Sequence, residues 1–161
     1  MHLADFRVSV HDDLPADEVR LIDEGLGHAN ASAAPLHEVV PLSCFVRAAS
    51  GGVVAGAVGR TWGACCELRQ LWVAPAHRRR GLGSLLVRRF EERAASRGCR
   101  TFYLETFSFQ APDLYRLLGY EPRLVLHGFG GGIVKYLMVR EAKVRKARIG
   151  TARRFPGYAR T

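Results

Sequence analysis

The chain has 161 residues, 48% of them apolar, and a formal net charge of +9 at pH 7. That length suits a single domain burying roughly two-thirds of its unfolded surface, and no uncharged apolar run of about 18 residues exists to span a membrane as a helix. Four cysteines, Cys44, Cys65, Cys66 and Cys99, form neither a disulfide framework nor a C-x-x-C or Cys/His zinc pattern.

MHLADFRVSVHDD lacks a basic stretch leading into an apolar one, so no secretory signal is expected and the reading is a reduced, cytoplasmic, metal-free protein. The charge is uneven. From Glu141 onward, seven basic residues (Lys143, Arg145, Lys146, Arg148, Arg153, Arg154, Arg160) face one acid, giving +6 and leaving +3 for residues 1–140. Residues 1–140 are therefore expected to be the domain and 141–161 a basic, flexible extension, with nucleic-acid contact through that arm as the sharper alternative.

In chain order, LADFRVSV (3–10) alternates loosely and predicts a first strand. Asp12, Asp13 and Pro15 suit a helix start, and Val19, Ile22 and Leu26 give an amphipathic helix closed by Gly25 and Gly27. HANASAAPLHEVVP reads as a small-residue loop. Leu42–Ala49 and Val53–Thr61 flank Ser50-Gly51-Gly52 as a hairpin, and Ala64–Val73 returns after Trp62-Gly63 as a third strand. Leu82, Leu86, Phe90 and Ala94 then mark a helix ending at Gly98. Thr101–Glu105 is a short strand and Ala111–Leu118 a short helix stopped by Gly119. Arg123–His127 and Ile133–Val139 make a last hairpin across a glycine-rich turn. The order β-α-β-β-β-α-β-α-β-β predicts a mixed sheet with helices on its faces, an α/β (α+β) fold.

The sharpest local feature is Arg78-Arg79-Arg80-Gly81-Leu82-Gly83-Ser84, between a strand end and a helix start. Its glycines let backbone approach a ligand closely, and a helix N-terminus offers unpaired amides to a phosphate. Alone, it is equally well a tight strand-to-helix connection. It is not a Walker loop, and the dinucleotide fingerprint fails because Leu86 stands at its last glycine. Some thirty residues on, past an intervening strand, comes APDLYRLLGY, whose Tyr115 read alone is an ordinary core residue.

Taken together and in this order, LWVAPAHRRRGLGSLL and TFYLETFSFQAPDLYRLLGYE resemble the GNAT superfamily of acyl-coenzyme A-dependent N-acyltransferases, over residues 3–140. The first carries the family's [QR]-x-x-G-x-[GA] signature at Arg78, Gly81 and Gly83, and the second resembles its next strand and tyrosine helix. The resemblance implies a mixed, mostly antiparallel sheet of six to seven strands with helices on both faces. It implies acetyl-CoA as cosubstrate, its pyrophosphate cradled by amides of Arg79, Arg80, Gly81, Leu82, Gly83 and Ser84. It implies that Leu71, Trp72 and Val73 bulge and splay from the neighbouring strand to pair with the pantetheine arm, that the Val73 amide faces the thioester oxygen, and that Tyr115 faces the departing sulfur. A homodimer through Ile133–Val139 is also in keeping with the family.

The chemistry fits those roles. Amine attack on a thioester builds negative charge on oxygen, and one preorganised donor there is worth about 3 kcal/mol. A phenol near pKa 10 faces a thiolate near 8.5, so outright proton transfer is uphill by roughly 2 kcal/mol. Donation of a hydrogen bond is easier unless arginines acidify the phenol. Freeing a primary ammonium of pKa about 10.4 at neutral pH costs roughly 4.6 kcal/mol, a task for a general base. Several family members carry a catalytic glutamate at the position of Glu67, which also suits an ion pair with Arg60 or Arg69. Glu105 is second choice, with His77 and His127 behind it.

Where many members have an Asn contacting the coenzyme arm, this chain has Ser108, with Gln110 as substitute; Phe107 and Phe109 suit an acceptor wall or plain packing. Cys65 and Cys66 read as buried structural thiols, so direct transfer in a ternary complex is expected, to a primary amine and preferably a small molecule. The alternatives are a protein or peptide amine as acceptor, or a non-catalytic coenzyme-binding module whose basic tail binds nucleic acid.

Overall fold

A computed structural model describes residues 6–142. Its elements are helix α1 (Ala16–Ala33), strands β1 (Val40–Arg47), β2 (Val53–Trp62) and β3 (Cys65–Val73), helix α2 (Leu82–Ser96), strand β4 (Thr101–Phe107), helix α3 (Pro112–Leu117), and strands β5 (Glu121–Leu126) and β6 (Lys135–Glu141). Six strands make one sheet in the order β1-β2-β3-β4-β6-β5. Only the β3–β4 pair is parallel. Among the described residues no helix is long and apolar enough to cross a membrane.

Alternation along the strands decides which side chains reach the core. Ala55 and Ala57 of β2, Cys66 and Leu68 of β3, Phe102 and Leu104 of β4 and Met138 of β6 are buried. They meet Leu86, Phe90 and Ala94 of the predicted amphipathic stripe of α2, joined by Val87, with Leu82 only partly buried beside them. α2 stops at a glycine with φ +93°, where Cys99 N–H bonds Ala94 O and Gly98 N–H bonds Ala95 O. That is the paired-carbonyl ending which favours a left-handed residue.

Two expectations at the N-terminal end fail. Residues 6–10 of the predicted first strand join no ladder and are exposed. Alternation shows that a segment can be a strand, not that a partner edge receives it. Residues 1–5 and the basic tail beyond 142 lie outside the described residues. α1 continues through Gly25, Gly27 and the alanine-rich run to Ala33, stopping before Pro35. Alanine is the best helix former, and each exposed glycine costs only about 1 kcal/mol against it. No residue of α1 is buried, and Leu21, Ile22 and Leu26 remain exposed.

Two further placements bear on the sequence reading. Cys65 opens β3 and is exposed, unlike buried Cys66. The 133–139 segment contributes β6, which pairs with β4 on one side and β5 on the other. It offers no free edge; the sheet ends at β5, where Leu124, Val125 and Leu126 are exposed.

Candidate active site

The site begins where β3 leaves its neighbours. Against β2, Gln70 pairs with Val58 but Leu68 pairs with Gly59, so Arg69 is an extra residue in a bulge. Against β4, pairing runs only from Cys65↔Thr101 to Leu68↔Leu104 and then stops. A bulge bends its strand and increases local twist, and here the parallel neighbour is lost where the bulge begins, with Leu68 the last paired residue.

The hydrogen-bond alternation fixes what the parted edge presents. Ala74 N–H bonds Val54 O, so residues 74 and 54 are a hydrogen-bonded pair. Val73 opposite Ala55 and Leu71 opposite Ala57 are then non-bonded pairs with respect to β2. Their amides point across the gap toward β4, where among the described residues no strand receives them. Arg78 Nε donates to the Val73 carbonyl at 3.0 Å from that side.

The loop closes one end of the gap. Arg79 has φ +58° and Gly81 φ +78°, two left-handed residues within three positions. Such alternation turns successive amides to a common concave side, an arrangement that binds anions. Gly81 caps α2 without any side-chain hydrogen bond, leaving the first amides of the helix for a ligand. An αL residue at Gly81 is what a glycine accommodates at no steric cost.

These parts line one cavity of about 890 Å³, within the usual range for small-molecule sites. Its wall takes in Arg69 to Val73, Arg78, Arg79, Gly81 to Ser84, Glu105, Gln110 and Tyr115. Leu71, Trp72, Val73, Leu82, Gly83 and Ser84 thus lie together as the sequence suggested; Arg80 is exposed on the loop and outside the wall.

Tyr115 is 7% exposed. Burial pushes its phenol up to about 12. The acidification by arginines that complete proton transfer would require is therefore absent. Against a thiolate near 8.5 the gap is about 3.5 pK units, or about 5 kcal/mol. Burial therefore favours a phenol that donates a hydrogen bond over one that gives up its proton outright.

The two carboxylates separate. Glu67 lies on the sheet face away from α2, and its Oε2 accepts from Arg60 Nε at 2.6 Å. It lines a smaller recess with Trp62, Cys65 and Tyr103, not the main cavity. Here the ion-pair reading of Glu67 is the one the geometry bears. Glu105 lines the main cavity one residue beyond the last β3–β4 rung, paired with Lys135. His77 lines it too, whereas His127 is exposed after β5.

Ser108 is spent on structure, exchanging hydrogen bonds with Val134 through its amide and its hydroxyl. Gln110 turns its Oε1 to Phe107 N–H and Thr106 Oγ1 at 2.9 and 3.2 Å, and it reaches the cavity wall. Phe107 and Phe109 stack at 5.3 Å, and Phe109 joins the wall. The bulge falls at Arg69, two residues before the expected Leu71–Val73, and Arg69 joins the cavity wall, a role the sequence reading did not give it. Its position in a bulge depends on cross-strand register, which a single strand's pattern does not carry.

Replacing Gly83 tests the loop. A Cβ there meets Leu114 Cδ2 at 3.3 Å and Leu71 Cδ2 at 3.9 Å. Gly83→Asp pushes the start of α2 off α3 and sets an anion beside the free amides. Isothermal calorimetry is expected to show coenzyme A affinity falling at least a hundredfold; wild-type affinity would contradict the loop assignment.

Comparison with known proteins agrees with this geometry. The sequence profile of the Acetyltransferase (GNAT) family matches residues 9–120. A blasticidin-S acetyltransferase of Streptomyces morookaense is 36% identical over 110 residues, 68% of this chain and 79% of the relative. A crystal structure of an acetyltransferase from Bacillus cereus ATCC 14579 superposes with TM-score 0.69 at 25% identity, covering 83% of this chain and 97% of that one. An aminoglycoside 6'-N-acetyltransferase complexed with coenzyme A shares the fold, with TM-score 0.56 at 21% identity over 63% of this chain and 72% of its own. With the family profile spanning most of the described domain and a curated relative 36% identical, the chain belongs to the GNAT superfamily and is an acyl-CoA-dependent N-acyltransferase.

Proposed function

We propose that this protein moves an acetyl group from acetyl-CoA to a primary amine of a small molecule, by direct transfer in a ternary complex. The observation that carries it is the single cavity on which the loop amides, the unpaired edge of β3 and Tyr115 converge. The loop suits the pyrophosphate, with Arg78 and Arg79 beside it. The Leu71 and Val73 edge suits the pantetheine arm as an added strand, and Gln110 adds a polar group to that wall.

The Val73 amide is the donor for the thioester oxygen as it gains charge. The phenol of Tyr115 hydrogen-bonds the sulfur as the C–S bond breaks. Glu105, beside Lys135, is the carboxylate on the cavity wall suited to receive the ammonium proton, whereas Glu67, held by Arg60, lies outside that wall. The small-molecule preference is supported by the blasticidin-S acetyltransferase relative.

The test is coenzyme thiol release across a panel of amines, with the product identified by mass. At least one small amine is expected to give a product heavier by one acetyl group. With that amine, Glu105→Gln should lower kcat/KM by about 10²-fold at pH 7, within the usual yield of a general base, and Glu67→Gln by no more than a few-fold. Release with peptides alone would reverse the acceptor class.

A further inference from the structure

Glu91 is the charged residue of α2 that faces the core, 9% exposed among Phe90, Ala94 and their neighbours. Its carboxylate is bound from two directions. Arg140 of β6 donates to Glu91 Oε1 through Nε at 3.2 Å and to Oε2 through a terminal nitrogen at 2.5 Å. Tyr120, between α3 and β5, donates its hydroxyl to Glu91 Oε1 at 2.5 Å. Burial and the negative charge of Glu91 hold the Tyr120 phenol well above its ordinary pKa, so it stays a donor. A buried ion pair gives little net stability over apolar packing of the same volume, so stability alone does not account for this one.

What the network touches is the tyrosine helix. α3 ends at Gly119 with φ +88°, where Gly119 N–H bonds Arg116 O and Tyr120 N–H bonds Tyr115 O at 2.9 Å. In this ending the residue after the glycine packs on the residue whose carbonyl it holds. The Tyr120 ring meets the Tyr115 ring edge-on, centroids 5.9 Å apart. Arg140 backs the same turn: a Cβ on Gly119 would lie 3.5 Å from its Cδ, and its guanidinium covers the rings of Phe102 at 4.7 Å and Tyr120 at 5.9 Å. Main chain and ring of Tyr115 are both held by Tyr120, and Tyr120 is held by a carboxylate of α2.

We infer that Glu91, Arg140 and Tyr120 are positioning residues for acyl transfer: they tie the tyrosine helix to the helix whose first turn forms the coenzyme loop, and so fix the distance between the Tyr115 hydroxyl and the reacting sulfur. α3 has only six residues, too few to hold its own orientation. This rests on the acyl-transfer reading given above. None of the three lines the cavity, so each acts through Tyr115 rather than on substrate.

The discriminating variant is Tyr120→Phe, which keeps the ring and leaves the Glu91–Arg140 pair intact. With the full chain, kcat is expected to fall about tenfold while KM for acetyl-CoA stays within twofold. In a Tyr115→Phe background the same change is expected to do nothing further. Glu91→Gln should repeat the pattern, and a variant that fails to fold is replaced in the comparison by Tyr120→Phe. A kcat within twofold of the parent, or an undiminished tenfold loss in the Tyr115→Phe background, overturns the inference. Should Tyr115→Phe itself turn over normally, the catalytic role of Tyr115 is what falls. Positioning is then judged from the Tyr115 ring resonances of 13C-tyrosine-labelled protein, which Tyr120→Phe shifts and broadens if the inference holds and leaves unmoved if it does not.

Discussion

Replacement of Tyr115 by Phe is expected to lower kcat by 10²- to 10³-fold while the dissociation constant for coenzyme A changes less than threefold. The ring stays in place, because its contacts with Tyr120 and the core are apolar, and only the hydroxyl is lost. That hydroxyl donates in a site from which burial has removed most competing water, where one preorganised donor is worth about 3–4 kcal/mol. Since the phenol is pushed up to about 12, it remains the donor throughout the neutral range. The pH profile of the wild-type enzyme should accordingly show no alkaline fall attributable to Tyr115 below about pH 10. Steady-state kinetics with acetyl-CoA and calorimetry with coenzyme A decide the matter. Unaltered turnover in the Phe variant would remove Tyr115 from the mechanism.

Gly59→Ala is expected to be the most damaging single-methyl change in the sheet. A Cβ at this position would stand 1.9 Å from the Glu67 carbonyl oxygen and 2.9 Å from Phe90 Cζ. The first contact is backbone, so the two strands must move apart where the register shifts to make the bulge. Overpacking usually costs about 1–3 kcal/mol, and a backbone clash belongs at the top of that range, outweighing the 0.4–1 kcal/mol that a harmless Gly→Ala change gains. A loss of about 3 kcal/mol corresponds to a fall in Tm of roughly 6–12 °C for a chain of this size. Gly56→Ala is the control. Its nearest obstacle is the ring of Phe45 at 2.7 Å, a side chain half in solvent that can turn aside, so its melting temperature should move by only a few degrees. Equal melting temperatures for the two variants would refute the close approach of the Glu67 carbonyl to Gly59.

Much of this molecule is written locally. The hairpin at Gly51 and the amphipathic stripe of α2 follow from turn chemistry and from periods of 2 and 3.6 residues. The loop from Arg78 to Ser84 and the tyrosine helix follow from motif order and spacing. None needs a distant partner to be recognised. The placement of Leu71 to Val73 beside the loop follows from the same motif, because a strand leading directly into a cradle of amides must end there.

Other features depended on what lay across the sheet. The 3–10 segment alternates as a strand should, yet residues 6–10 join no ladder, since pairing is decided by the partner edge. Glu67 and Glu105 are both strand glutamates on the same sheet face, each beside a basic residue, and only the point where β3 parts from β4 separates them: Glu67 lies within the paired stretch, whereas Glu105 follows the last rung and reaches the cavity. Glu91 looks like one more charge on a helix until Arg140 and Tyr120, 49 and 29 residues onward, enclose it. Sequence alone determined the family, the loop and the identity of the tyrosine, because local periodicity and fixed spacing encode them. Tertiary structure alone decided which carboxylate reaches the cavity and what encloses Glu91 beside the tyrosine helix, because register, burial and long-range ion pairs arise only when distant strands meet.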